Sequence, residues 1–326
     1  MHLPQILREV SRTFAVSIER LPATLREAVM ISYLLLRVSD CLEDNEVLLA
    51  NRKVELLQLW TQILSGNASV EELIQAVSHL DANNDPEVYV TQHADDLLEA
   101  LDQLPKESQA IIVQHVIQST LGMARWQEHG PFVNTEEEMD DYMHQVAGRV
   151  GYLLTDLFGS YSPAFQKRDP VLRPLARHFG LALQTVNIIR GMRKDYERGW
   201  VFVPRTFYEP LGLTRDSLFA QENAERALTV INILADKAET HLQYGLEYIT
   251  TIPQAYHGIR LACMWPLFFA KKTVALSRDN INVILNGAKI SRTDVISIVR
   301  KTTLMGWSNQ WLRNYYQELC APTPAH

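Results

Sequence analysis

The chain has few of the features that mark secreted, nucleic-acid-binding or membrane-spanning proteins. Its three cysteines, Cys41, Cys263 and Cys320, form neither a disulfide framework nor a metal-binding spacing, which is typical of a protein in a reducing compartment. A formal net charge of −7 argues against nucleic-acid binding, which favours basic surfaces. The first residues lack the apolar core of a signal peptide. These absences predict a cytoplasmic protein without a nucleic-acid partner.

Long apolar runs are also missing. The most apolar run, 261–270, contains Pro266 and is much shorter than the ~20 residues that a membrane-spanning helix needs. We interpret this run as a buried wall beside an apolar cavity. The last residues, 321–326, are polar and are predicted to form a short tail behind a domain over 1–320.

Glycine is scarce at 14 of 326 residues, and no segment shows the two-residue period of a β-strand. Apolar residues follow a helical period almost throughout, and Thr135 with Glu138 predicts a capping box before a helix over 139–157. Short stretches rich in Pro, Gly, Asn or Asp interrupt the pattern. They are 81–86, 128–131, 160–170, 199–212 and 280–291. None is long enough to be a linker, so the sequence predicts a single all-α domain.

One apolar segment carries three carboxylates. On a helix, Asp40, Glu43 and Asp44 fall within one narrow arc, and Arg37 lies one turn before them. Three like charges repel one another unless a cation or a charged ligand lies among them. Because 30–36 is almost wholly apolar, we expect the helix to be buried, and buried oxygen-only ligands select Mg²⁺ or a similar hard cation. A solvated acidic helix end is the alternative.

A second polar row lies on another predicted helix. Asn187, Gly191 and Asp195 are spaced i, i+4, i+8 along one face, and Arg190 offers a forked donor suited to phosphate. If this helix faces the first one, the two would hold a hard cation and a diphosphate between them.

In this order and spacing, the motifs resemble those of the squalene/phytoene synthases. These are head-to-head prenyltransferases with the all-helical class I isoprenoid synthase fold around a central cavity. The acidic motif is more similar to that of squalene synthases than to that of phytoene synthases. The matching segments are Ser11–Phe14, Asp40–Asp44, Tyr142–Gly151, Gln184–Arg190, Gly199 and Pro204.

The resemblance implies a reaction and a set of site residues. Two farnesyl diphosphates would be joined through presqualene diphosphate, with Mg²⁺ or Mn²⁺ as the metal and NADPH as the reductant if squalene is the product. The implied metal ligands are Asp40, Glu43, Asp44, Asn187 and Asp195. The implied catalytic residues are Tyr33, Arg37, Tyr142 and Arg190, and the substrate-binding residues are Ser11, Arg12, Phe14, Gln184, Lys194 and Arg198.

The sequence departs from the family pattern in its second motif. Gly191 replaces the leading carboxylate, and Lys194 stands where squalene synthases often have Glu. Our hypothesis is that Lys194 replaces a cation, binding diphosphate or bridging carboxylates directly. Trp200 follows Gly199 where the family commonly has Arg, and Arg198 would supply the guanidinium from the other side of the glycine.

Several alternatives remain open from the sequence. The same fold could make phytoene, dehydrosqualene, hydroxysqualene or presqualene diphosphate alone. A non-catalytic prenyl-binding or assembly factor would lose carboxylates from both motifs, which Asp40–Asp44 argues against. A one-substrate terpene cyclase would need a middle metal ligand where Gly191 stands. An oily product would favour peripheral membrane contact.

Overall fold

A computed structural model describes residues 2–319, so the predictions for Cys320 and the tail 321–326 lie outside the described residues. Within this range α-helices dominate, and the only β pairing is one isolated parallel bridge between Phe132 and Val201. The predicted all-α fold is confirmed.

The chain divides into two compact units, which are described separately. The first comprises Met1–Gly130 and Tyr152–Asp169, and the second comprises Pro131–Gly151 and Pro170–His326. The prediction of a single domain stays a prediction, because two compact units can fold together or apart.

Eight of the described α-helices precede residue 130. They are α1 (Leu3–Val10), α2 (Arg12–Ile18), α3 (Ala23–Asp44), α4 (Ala50–Leu64), α5 (Val70–Val77), α6 (Pro86–Gln92), α7 (Ala94–Asp102) and α8 (Lys106–His129).

Ten more follow in the described residues, with a π-helical turn between the first two. They are α9 (Glu136–Met143), the π-turn (His144–Gly148), α10 (Arg149–Tyr161), α11 (Pro163–Gln166), α12 (Asp169–Glu197), α13 (Arg205–Tyr208), α14 (Ala224–Thr251), α15 (His257–Ser277), α16 (Val283–Asn286), α17 (Arg292–Met305) and α18 (Asn309–Glu318). Single 3₁₀ turns lie at Glu209–Leu211, Ser217–Phe219 and Gln221–Asn223.

Helix α3 carries the acidic motif and is the centre of the first unit. It packs against α4, α6, α7 and α8, and Leu34 and Leu35 are fully buried. The hydroxyls of Ser39 on α3 and Thr120 on α8 are 2.7 Å apart and hydrogen bond inside this packing. The apolar stretch before the carboxylates is therefore buried, as predicted, and this packing fixes where the motif's side chains emerge.

Helix α15 is buried on nearly all sides in the second unit. All residues of 261–270 except Ala262 are buried, as predicted, with α14 and α17 packed against the helix. Arg260 at its start is fully buried and donates to the carbonyls of Ile249 and Ile252 at 3.0 and 2.7 Å. It thereby satisfies backbone acceptors at the C-terminal end of α14. The predicted apolar cavity beside 261–270 stays a prediction.

The capping box predicted at Thr135 is only half formed. The Thr135 hydroxyl accepts the Glu138 backbone N–H at 3.3 Å, but the Glu138 carboxylate accepts the N–H of Asn134, at 2.7 Å. The helical stretch that starts here runs without a break over 136–161 and covers the predicted 139–157, but it contains the π-turn. A π-turn inserts one extra residue into the helix, which apolar periodicity does not reveal over so short a length.

None of the described helices is long and apolar enough to cross a membrane.

Candidate functional site

Arg37 is held between two carboxylates in the first unit. It forms an ion pair with Asp40, one turn later on α3, and its Nη1 donates to Glu87 Oε1 of α6 at 3.2 Å. All three side chains are half-buried. A guanidinium with partners on two helices is fixed in direction, which suits it to meet an incoming anion or to hold Asp40 in place.

Burial and charge shift the pKa values of this group in a consistent way. Burial raises the pKa of the Asp40 carboxyl to about 7, with Arg37 opposing and the negative charges of Glu87 and Asp44 adding to the rise. Burial likewise raises the pKa of Glu87. For Arg37, burial disfavours the charged form, but the neighbouring carboxylates outweigh it and raise its pKa. Several carboxylates thus share one guanidinium, and their surplus negative charge favours a cation.

Predicted substrate-binding residues lie beside Arg37. Ser11 caps α2 by accepting the Phe14 N–H at 3.3 Å. Burial raises the pKa of Tyr33, and the nearby Arg37 and the Ser11 hydroxyl oppose that rise. The Phe14 and Tyr33 rings are 5.6 Å apart, and the Arg37 guanidinium lies 5.1 Å from the centre of the Tyr33 ring. The structure therefore brings together four residues that sequence reasoning selected. The side chain of Arg12, the fifth residue selected here, is outside what the structure describes.

The remaining carboxylates of the acidic motif differ in environment. Glu43 is buried and Asp44 is exposed at the end of α3. Lys53 Nζ donates to the backbone carbonyl of Glu43 at 2.7 Å, which ties the end of α3 to α4. The predicted arc of three acids is thus present, but its members range from buried to exposed.

The chemistry of this donor set fits a hard divalent cation. Its ligands would be carboxylate oxygens, and the surplus acidic charge around Arg37 would be neutralised by the metal. Within the described part of the chain, no group of three or more His, Cys, Asp or Glu side chains is already arranged to hold a metal ion. The assignment of metal ligands stays a prediction.

The second motif, on α12 in the second unit, is rich in cations. Asp195 pairs with Arg198 at 2.7 Å, and Gln184 accepts a hydrogen bond from Asn187 at 3.2 Å. Arg190 and Lys194 are exposed. Four cationic and two anionic side chains lie between residues 190 and 198. This balance does not fit a metal site built from the second motif alone, but it does fit a polyanion.

Gly191 affects the packing of the second motif as well as its charge. A Cβ at this position would lie 3.2 Å from Asp195 Oδ2, so a larger residue would crowd the carboxylate that pairs with Arg198. Gly191 thus has no carboxylate of its own, and because it lacks a side chain it leaves room for Asp195 to pair with Arg198.

Tyr142 belongs to an aromatic stack in the second unit. Its ring lies 4.3 Å from Phe202, and the Phe202 ring lies 5.3 Å from Trp200, both nearly parallel. The Trp200 N–H donates to the Asp195 carbonyl at 2.8 Å, which joins the stack to the end of α12. Trp200, a departure from the family pattern, thus extends an aromatic surface next to Asp195. Aromatic faces attract cations, including carbocations.

Sequence reasoning missed Glu87 and Phe202. Glu87 lies 50 residues after Arg37, in the first turn of α6, where Asp85 caps the helix. Acidic residues are common in the first turn of a helix, where Glu87 lies, so the neighbouring sequence does not indicate a contact with Arg37. Phe202 lies in a short apolar stretch, and only the fold shows that it separates two aromatic rings.

Comparison with known proteins gives one family. The squalene/phytoene synthase family model matches residues 7–289. Squalene synthase from Nicotiana benthamiana is 28% identical over 91% of this chain and 69% of its own length. The squalene synthase from Eremothecium gossypii is 30% identical over 93% of this chain and 68% of its own. For the Homo sapiens squalene synthase the identity is 26%, covering 96% of this chain and 72% of that protein.

Solved structures agree with the sequence relatives. The ligand-bound structure of TcSQS superposes with a TM-score of 0.82 at 25% identity, covering 98% of this chain and 90% of that one. A ligand-bound dehydrosqualene synthase superposes with a TM-score of 0.61 at 17% identity, which shows a shared fold alone.

Proposed function

This chain belongs to the squalene/phytoene synthase family, and from that premise we propose that it condenses two farnesyl diphosphates head to head, through presqualene diphosphate, and reduces the product to squalene with NADPH. The relatives named squalene synthase support this choice of product. The observation that carries it is the Arg37 cluster, in which the Arg37 guanidinium pairs with Asp40 of the acidic motif on α3 and with Glu87 on α6.

The first unit would activate a diphosphate leaving group. Diphosphate departs slowly until its charge is neutralised, and a bound Mg²⁺ or Mn²⁺ would supply that neutralisation. Asp40, Glu43 and Asp44 would hold the metal. Arg37 would donate to a phosphate oxygen, with Glu87 keeping its guanidinium in position. Tyr33 and Phe14 would shield the reacting carbon from water.

The second unit would contribute anion binding and an aromatic surface. Arg190 and Lys194 are exposed cations on α12 and would bind diphosphate oxygens directly. Asn187 and Asp195 stay the predicted metal ligands of this motif, and Gln184 would orient Asn187. The stack of Tyr142 on Phe202 would stabilise an allylic carbocation.

The cation-rich second motif favours a second candidate, an enzyme that stops at presqualene diphosphate. Rearrangement of that intermediate needs its diphosphate to leave again, and residues 190–198 carry fewer carboxylates for a metal than the family pattern implies. Phytoene, dehydrosqualene and hydroxysqualene are further products that the same assay would detect.

An assay of the purified protein tests the proposal. The protein is incubated with farnesyl diphosphate and Mg²⁺, with and without NADPH. Products are extracted before and after phosphatase treatment and identified by mass spectrometry. We expect squalene only when NADPH is present. Presqualene alcohol after phosphatase, without squalene, would favour the second candidate.

Asp40→Asn and Glu46→Gln form a matched pair for this assay. Both remove one negative charge near the end of α3, but Glu46 is exposed and lies outside the motif. We expect loss of turnover in Asp40→Asn and normal turnover in Glu46→Gln. No turnover of any prenyl diphosphate by the unmodified protein would contradict an enzymatic role and favour a prenyl-binding factor.

A further inference from the structure

The outer face of α17 presents cations and apolar side chains in one row. Arg292, Ile296, Arg300 and Leu304 are spaced four residues apart and therefore lie on one face of the helix. Ile296 and Leu304 are 66% and 63% exposed, and Trp307, just beyond the helix, is 56% exposed. Side chains so large and so exposed, close together, mark an interaction surface. We call the row and Trp307 the α17 face.

The inner side of α17 explains why these residues cannot turn inward. Ile298 and Thr302 are buried, and the indole N–H of Trp265 on α15 donates to the Thr302 hydroxyl at 3.0 Å. The helix starts at a full capping box formed by Ser291 and Asp294. Packing and capping therefore fix the rotation of α17 and leave the α17 face outward.

The charge on this face has one sign. Arg292 and Arg300 are exposed and have no ion pair or hydrogen bond to the described residues, and Lys289, just before the helix, is in the same state. The one acid within α17, Asp294, lies on the opposite side of the helix, where it pairs with Lys272 at 3.8 Å. Glu318 of α18 pairs with Lys301, at 3.0 Å. Arg292 and Arg300 on this face, and Lys289 just before the helix, are therefore cations that no acid among the described residues neutralises, in a chain whose net charge is −7.

We propose that the α17 face binds the surface of an anionic phospholipid bilayer. Apolar side chains that alternate with guanidinium groups suit the headgroup layer of a bilayer. There the apolar side chains would contact the acyl chains, and the guanidinium groups would bind lipid phosphates. Tryptophan is enriched at that level of the membrane because its ring is apolar with one polar N–H. The helix would lie in the plane of the surface, since it is too polar to cross it.

Vesicle sedimentation tests the proposal with the full chain. Phosphatidylcholine vesicles with and without phosphatidylserine are compared at low and high salt. We expect binding to the phosphatidylserine vesicles that weakens with salt, because exposed charges are screened. In the triple variant Ile296→Ser, Leu304→Ser, Trp307→Ser, we expect the partition coefficient to fall roughly tenfold or more.

A second pair of variants separates this face from general exposure of apolar residues. Val47 and Leu49 are even more exposed, at 71% and 74%, but they follow the acids Asp44 and Glu46. Val47→Ser with Leu49→Ser should bind vesicles as the unmodified chain does. Arg292→Gln with Arg300→Gln should lose the preference for phosphatidylserine.

Quenching of tryptophan fluorescence by brominated acyl chains reports which residue inserts. We expect quenching in the unmodified chain and its loss in Trp307→Ser. Equal sedimentation of the triple variant and the unmodified chain, or no binding to phosphatidylserine vesicles, would overturn the proposal, as would unchanged quenching in Trp307→Ser. A face that serves a protein partner or a second copy instead would give one of these results. Turnover of dissolved farnesyl diphosphate by the triple variant separates this outcome from a failure of the proposed function.

Discussion

At the scale of single residues, the Arg37 cluster shows how one side chain can order several others. Arg37 pairs with Asp40 in its own helix and with Glu87 on α6, so the guanidinium cannot turn away without leaving a half-buried carboxylate without its partner. Such a loss is costly, because a desolvated charge then lacks compensation. We therefore propose that Glu87 is a positioning residue, which would act on the proposed reaction through Arg37.

Glu87→Gln tests this role. The amide keeps the shape of the side chain but removes the charge, so we expect kcat/KM for farnesyl diphosphate to fall roughly tenfold, about 1.4 kcal/mol. The loss of repulsion from Glu87 should also lower the pKa of Asp40 and thereby shift the Mg²⁺ concentration for half-maximal rate. Glu55→Gln, which removes an exposed acid paired with Arg52, is the control. An unchanged Mg²⁺ dependence in Glu87→Gln would reject the positioning role.

Lys194 is the residue that departs most in charge from the family pattern. If its ammonium binds diphosphate, Lys194→Ala should lower kcat/KM about 10- to 100-fold, since a charged hydrogen bond contributes roughly 1.5–3 kcal/mol. The inhibition constant of inorganic pyrophosphate should rise in parallel. Lys167→Ala removes another exposed lysine, on the other unit, and should change neither value. Kinetics of Lys194→Ala that match those of the unmodified chain would reject the hypothesis.

The sequence predicts those features of the candidate site that depend on residues within one helix. The ion pair of Arg37 with Asp40 follows from a spacing of three residues, and burial of α3 follows from its apolar composition. Glu87 and Phe202 could not be found this way, because their roles depend on contacts between elements distant in the chain. Local periodicity contains no information about such contacts.

At the scale of elements, two glycines set how closely backbones approach in the second unit. A Cβ on Gly151 would lie 2.2 Å from the Ala176 carbonyl oxygen of α12, and a Cβ on Gly180 would lie 2.4 Å from the carbonyl oxygen of Ala147 in the π-turn. Both obstacles are backbone atoms, which cannot rotate away. The π-turn, α10 and α12 thus meet at van der Waals distance only because these positions lack side chains. The resemblance to the family included Gly151, but its spacing alone gave no reason for a glycine there.

Gly151→Ala tests this close packing, with Gly159→Ala in the same helix as its control. We expect Gly151→Ala to lower the free energy of unfolding by roughly 3 kcal/mol or more through overpacking. The Cβ of Gly159→Ala would meet only Gln166 Cγ at 3.7 Å, so that variant should gain roughly 0.5–1 kcal/mol from the helix propensity of alanine. Urea unfolding of both variants gives the two values. Equal stability of the two would show that the backbone contact at Gly151 is loose.

At the scale of the whole molecule, charge is distributed unevenly along an acidic chain. Carboxylates surround Arg37 in the first unit, whereas cations dominate the end of α12 and the α17 face in the second. The net charge of −7 describes the whole chain but does not predict where these local excesses of acidic or cationic side chains lie. A polyanionic substrate and an anionic surface are both attracted by local cations, and both interactions should weaken with salt.

The stability of the whole protein should depend on pH through a histidine pair outside the candidate site. His178 Nδ1 and His241 Nδ1 are 3.0 Å apart, and burial, together with the charge of Lys237, lowers the pKa of His241 to about 3. Burial and Arg177 also lower the pKa of His178, while the Lys237 partners Glu136 and Asp140 oppose these shifts. An unfolded histidine titrates near ~6.5, so below that pH the unfolded chain binds a proton that the folded chain excludes. The contribution of His241 to the free energy of unfolding is therefore complete above pH ~6.5. It is lost as the pH falls, by at most about 1.4 kcal/mol per pH unit, until the pH nears the folded pKa of His241.

Urea unfolding between those two pH values tests this pH dependence. The free energy of unfolding should change less steeply with pH in His241→Gln than in the unmodified chain, whatever the cost of the substitution at neutral pH. His79→Gln, at an exposed position, should keep the original slope, and an equally steep slope in His241→Gln would assign the acid sensitivity to other groups.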